Sequence, residues 1–205
     1  MKHRRSLILV LATLSLAISA CSQRTSGSPA PASGAAGTQS VSASGSSAAP
    51  TVSNPLDPTS YLSKPCDLVP QELVAQLGYT NPTPTAENSS FGPGCGWVGT
   101  DSLKPKNFNV SVQVLKGKRN GGLAAIYKAH DRGFYAFADP TTVSSYPAVY
   151  ADTQDRRAEG KCTVFVGIAN DLTFATGVDG YTDAQDSCAT AKQIAAAVIT
   201  DLQGG

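Results

Sequence analysis

Apolar residues fall into three regimes along this 205-residue chain. Positions 7–20 are almost wholly apolar, positions 22–56 carry little beyond alanine, and later positions recur with the periods of folded structure. The clearest period lies at 107–114, where Phe108, Val110, Val112 and Val114 alternate with Asn107, Asn109, Ser111 and Gln113. A period of two predicts a strand with one buried and one wet face. Residues 95–98, 146–150 and 162–169 also read as strands. The last leads across Asn170 and Asp171, a two-residue turn whose members tolerate positive φ, into a strand at 172–178. Helical spacing places Cys188, Ala191, Ile194, Ala195, Val198 and Leu202 on one stripe of a helix at about 184–202. Leu73, Val74 and Leu77 lie between Pro70 and Gly78, which predicts a short first helix. Leu123, Ile126 and Tyr127 predict a second, with Asn120 as its cap. The prolines and glycines of 79–94 read as a loop. Together these elements predict an α+β fold, an antiparallel sheet with helices packed on it.

The first regime is an export signal. Lys2, Arg4 and Arg5 precede an apolar run that would rise about 21 Å as a helix, short of the roughly 30 Å of hydrocarbon that a permanent span must cross. Ile18-Ser19-Ala20-Cys21 resembles the lipobox of bacterial lipoproteins, in which the cysteine thiol is acylated. More than one acyl chain on Cys21 would hold the protein firmly at a membrane. Arg4-Arg5-Ser6-Leu7-Ile8 only partly resembles a twin-arginine signal, so the general secretory route is expected. The organisation read from the sequence is a signal at 1–21, a Ser/Ala/Gly/Pro-rich disordered linker at 22–56, and one folded extracytoplasmic domain at 57–205. As a flexible coil the linker spans about 30 Å root-mean-square.

Charge changes the picture once the chain is divided. Lys2, Arg4, Arg5 and Arg24 precede the domain, which holds 12 basic and 15 acidic residues. Nucleic acid is therefore not an expected partner, because phosphate neutralisation needs a basic excess. Apart from Cys21, the cysteines are Cys66, Cys95, Cys162 and Cys188. In an exported domain they imply two disulfides with three possible connectivities. Sequential pairing, Cys66 with Cys95 and Cys162 with Cys188, closes the short loops and is the expectation. Cysteines this far apart do not suit a zinc site, and there is no Cys-x-x-Cys redox pair. Neither a metal nor another cofactor is expected.

Candidate catalytic chemistry is sparse. His130 is the sole histidine beyond the signal, and it reads as a surface residue closing the second helix; the alternative is an envelope hydrolase using it as general base. Asp179, Asp183 and Asp186 read as acids placed before a helix N-terminus rather than as a calcium loop. Trp97 reads as a core residue beside a disulfide, with a pocket floor as the alternative. Tyr127, Phe134, Tyr135 and Phe137 read as core and edge packing, with a groove lining as the alternative. Lys116, Lys118 and Arg119 precede the Asn120 helix start, a geometry that suits an anion.

Pro65-Cys66-Asp67-Leu68, Leu77-Gly78, Cys95-Gly96-Trp97, Gly122-Leu123, Tyr146-Pro147-Ala148 and Cys162-Thr163-Val164 together resemble a family of actinobacterial secreted lipoproteins, a domain of unknown function, over about residues 61–203. The resemblance implies a lipid-anchored protein of the cell envelope with two disulfides and a fold similar to the Mog1/PsbP type. It supplies no catalytic residue. The expected role is non-catalytic binding of a ligand or envelope partner by a monomer held, through palmitate or a similar lipid, on the outer face of the cell membrane. Intact-mass analysis of membrane-extracted protein should find a mature chain that begins at an acylated Cys21; an unmodified chain beginning elsewhere would refute the anchor.

Overall fold

Strand formation dominates the domain. The computed structural model describes residues 49–86, 88–99 and 105–204. Among these, β1 (Tyr79–Thr85), β2 (Gly94–Gly99), β3 (Asn107–Val112), β6 (Phe137–Val143), β7 (Tyr146–Asp152), β8 (Cys162–Ala169) and β9 (Leu172–Asp179) form one antiparallel sheet in the order β1-β2-β3-β9-β8-β7-β6. A small hairpin, β4 (Val114–Leu115) with β5 (Lys118–Arg119), stands apart. Three α-helices accompany them: α1 (Gln71–Gln76), α2 (Gly122–Asp131) and α3 (Ala184–Gly204). The architecture is α+β, as the periodicities imply.

The two faces of the sheet are covered unequally. One face carries the main core, including Phe108, Val110, Val164, Phe174 and Val178, under the stripe Ala191, Ile194, Ala195, Val198, Ile199 and Leu202 of α3. Each of the larger aliphatic side chains in that stripe contributes about 1.5–3 kcal/mol by leaving water. The other face holds a smaller cluster in which Leu123 and Ile126 of α2 cover Val149, Ala151, Phe165 and Ala175. β9 sits near the middle with both faces occupied and is buried along nearly its whole length.

Both disulfides form in the sequential pairing. Cys162–Cys188 ties the start of β8 to α3, and Cys66–Cys95 ties a 3-10 turn at Pro65–Leu68 to β2. On the loop-entropy model each restricts the unfolded chain by roughly 3–4 kcal/mol.

Several boundaries differ from the sequence reading. Residues 49–56, assigned by composition to the linker, belong to the folded body: Val52 is buried and donates its N–H to Asn170 Oδ1 at 2.9 Å, and the Leu56 N–H reaches Ile168 O at 2.8 Å. Residues 1–48, on which the expected signal and most of the expected linker fall, lie outside the described residues. β1 occupies part of the expected loop, despite Pro82 and Pro84, and β6 contains Pro140. Both are outermost strands, where a missing backbone donor can be tolerated. The Asn170-Asp171 turn joins β8 to β9 as expected, but neither residue has positive φ. The left-handed pair appears instead at Ser144 and Ser145, between β6 and β7, with φ 46° and 71°.

Two buried polar groups have opposite fates. The Tyr79 and Tyr181 hydroxyls lie 2.5 Å apart in the core, and burial pushes both phenols above their ordinary value. The Thr176 hydroxyl, on β9 in the core, has no hydrogen-bond partner among the described residues. Its neighbour Thr173 accepts from Asn120 Nδ2 at 2.9 Å. An unpaired buried hydroxyl costs roughly 1–3 kcal/mol. Thr176→Val should therefore be neutral or stabilising by about 1 kcal/mol in urea unfolding, whereas Thr173→Val should destabilise by about 1 kcal/mol or more. A loss on Thr176→Val equal to that on Thr173→Val would contradict this assignment.

Candidate functional site

The polar side of β3 is exposed at Asn107 and Asn109 and buried at Ser111. It forms part of the floor of a groove of about 650 Å³ on the face that α2 only partly covers. Cross-strand pairing builds that floor in rows: Gly96, Asn109, Gly177 and Thr163 stand side by side, and Ser111, Ala175 and Phe165 form the next row. The absence of a side chain at Gly177 leaves room for the Asn109 carboxamide to lie across its row. A β-carbon added at Gly177 would lie 3.2 Å from Asn109 Nδ2 and 3.5 Å from Thr163 Oγ1, so any larger side chain would occupy the space between them.

Aromatic residues form the walls, and local backbone chemistry sets each one. At the end of α2 the Gly133 N–H bonds His130 O and the Phe134 N–H bonds Ala129 O, with Gly133 at φ 76°. This is a Schellman stop. It turns Phe134 out to 61% exposure and leaves it edge-to-face with Tyr135, ring centroids 4.9 Å apart. Tyr135 leans on Phe165 of the floor at 5.7 Å. Phe91, 68% exposed, sits in a tight turn in which the Gly92 N–H bonds Ser89 O. Gly92 is required there, because an added β-carbon would meet Val112 O at 2.1 Å. Gln113 Nε2 fixes the turn by donating to Phe91 O at 3.1 Å and to Ser111 Oγ at 2.9 Å.

The polar groups of the groove divide into occupied and available. Ser111 and Gln113 are buried and bonded to each other. Asn107 and Asn109 are exposed, and neither side chain has a hydrogen bond among the described residues. At one end Asp152 Oδ2 accepts from the Thr163 hydroxyl at 3.3 Å and lies 3.9 Å from Lys161 Nζ. Asp179 accepts the Gly180 N–H at 2.7 Å. Burial, with a lesser contribution from Asp152, holds the Tyr135 phenol above its usual value. Tyr135 is thus a neutral hydroxyl at physiological pH.

The other sequence candidates are dispersed. Cys21 lies outside the described residues, and the remaining four cysteines are structural. Lys116, Lys118 and Arg119 do not form the expected strand-to-helix turn; they belong to the β4–β5 hairpin, with Lys116 at φ 51° and Gly117 at φ 72°. Arg119 Nη1 is bound to Asp171 Oδ1 at 2.8 Å, and Asn120 Oδ1 takes the Gly122 N–H at 3.0 Å, so part of the expected anion geometry is already satisfied. His130 is half exposed near the end of α2, 3.9 Å from Asp131, and does not line the groove. Asp183 accepts the Gln185 and Asp186 N–H groups and Asp186 reaches back to the Thr182 N–H, a reciprocal cap on α3. Trp97 is a core residue stacked on Phe108 at 4.4 Å. Of the aromatic cluster, Phe134 and Tyr135 line the groove, while Phe137 is buried beneath the Arg157 guanidinium at 4.0 Å. Sequence reasoning missed Phe91; the only signal was an aromatic residue within a glycine- and proline-rich stretch.

Residues 16–201 match the model of a family described as "Protein of unknown function (DUF3558)". No curated protein and no solved structure matches the chain. A likeness to the Mog1/PsbP type therefore rests on the sequence resemblance alone.

The hairpin geometry separates the three cations. Lys116→Ser with Lys118→Ser should account for most of any loss of binding to anionic vesicles at low salt, while Arg119→Ser should mainly reduce stability, by less than about 1 kcal/mol. Vesicle co-sedimentation and urea unfolding check this. Equal vesicle binding by parent and double lysine variant would exclude an anion role for the hairpin.

Proposed function

The chain belongs to the DUF3558 family, and we propose that this member is a lipid-anchored cell-envelope protein whose groove binds a ligand or partner without catalysing a reaction. The groove supports this reading most directly. Phe91 and Phe134 remain in water across a floor where the Asn107 and Asn109 carboxamides have no partner among the described residues, although burying each ring would contribute about 1.5–3 kcal/mol. An exposed apolar pair rimmed by polar groups marks a binding surface. His130 has no part in it, so the hydrolase alternative gains no support from the groove.

The proposed anchor rests on Cys21. The family match begins at residue 16 and so takes in Ile18-Ser19-Ala20-Cys21. With the body starting by Ala49, residues 22–48 would form the tether, about 28 Å root-mean-square as a flexible coil. That length lets the groove work clear of the headgroups on the outer face of the membrane.

Amide chemical shifts recorded while muramidase-solubilised wall fragments and then short envelope-derived peptides are added should change around Asn107, Asn109 and Thr163. Phe91→Ser with Phe134→Ser should weaken the responding interaction at least tenfold without altering the unfolding midpoint, and His130→Ala should leave it unchanged. Shifts clustered away from the groove would remove this reading.

A further inference from the structure

We propose that the ligand of the groove is an extended, non-acidic peptide segment bearing apolar side chains, gripped through its backbone by Asn107 and Asn109. This rests on the groove reading above and specifies its ligand class.

Asn107 and Asn109 are alternate residues of one strand and share a face, so their side chains repeat every 6.6–6.8 Å or so. That is also the two-residue repeat of an extended peptide. A carboxamide donates through nitrogen and accepts through oxygen, which complements the N–H and C=O of one peptide residue. Two such groups in register can therefore hold alternate residues of a chain laid along β3. Charge points the same way. Among the described lining residues Lys161 is the one cation; it lies 3.9 Å from Asp152, and Asp179 lines the groove as well, so the lining disfavours an anionic ligand.

The apolar features fit the side chains of such a segment. With no side chain at Gly177, the segment can approach the floor closely beside Asn109 and Thr163. Phe91 and Phe134 offer rings to side chains directed outward or along the groove. From Asn107 to Gln113 the polar side of the strand runs about 20 Å, the length of roughly six extended residues.

The full-length protein in detergent should be screened against an array of random heptapeptides, with an oligosaccharide panel from muramidase-digested wall in parallel. Enriched peptides should carry apolar residues two positions apart and lack acidic residues. For the strongest, Asn107→Ala with Asn109→Ala should raise Kd at least tenfold with unchanged thermal unfolding. N-methylation of the ligand should cost tenfold at one set of alternate residues and less than twofold at the intervening ones. Gly177→Leu should abolish binding, and if that variant does not fold, Asn109→Tyr fills the same space from an exposed position. Oligosaccharide binding that Asn109→Tyr blocks, with no peptide enrichment, would overturn the peptide class and leave the groove intact. Peptides bound equally well by parent and Asn109→Tyr would overturn both.

Discussion

Unequal helix cover on the two faces of one sheet shapes everything else in this domain. The 21 residues of α3 rise about 31 Å and pack chiefly on β8 and β9. The ten residues of α2 rise about 15 Å. Its side of the sheet is thus half covered, and the chain stops the helix deliberately, with a left-handed glycine at 133. Where cover is missing, the sheet presents amides, a hydroxyl and glycines instead of aliphatic side chains. The groove is the uncovered half.

The covalent and polar restraints follow the same division. Cys95 and Cys162 point into the α3-side core, so both disulfides fasten that half of the molecule. On the groove side, order comes from hydrogen bonds: Gln113 holds the Phe91 turn, and Asn120 joins Thr173 to the start of α2. A rigid, stapled half can carry a face that adjusts around a ligand. Loops and sites are commonly placed on a scaffold in this way.

What the sequence made legible was whatever obeyed a period. The alternation at 107–114 located β3 and its polar side, and the stripe ending at Leu202 located α3. The polar side was read as wet, which holds for Asn107 and Asn109 but not for the buried Ser111 and Gln113, because whether a solvated face is flat or recessed depends on loops far away in sequence. Phe91 and Phe134 reach the same groove from segments more than forty residues apart, a convergence no local pattern encodes. β1 and β6 escaped notice since proline argues against a strand unless the strand is known to be outermost. The domain start was obscured for a related reason: Val52 and Leu56 lie in a low-complexity stretch, and only the partners Asn170 and Ile168 show that the chain has already docked.

Those prolines have a consequence for how copies of the domain meet one another. An open strand edge is a ready template for another chain, and crowding of copies invites sheet-to-sheet growth. Here the seven-stranded sheet ends on one side at a bulged strand with Pro82 and Pro84, and on the other at a strand with Pro140. Each interrupts the row of donors that an incoming strand would need. Both edges of the sheet are thereby guarded against pairing with the edge of another copy.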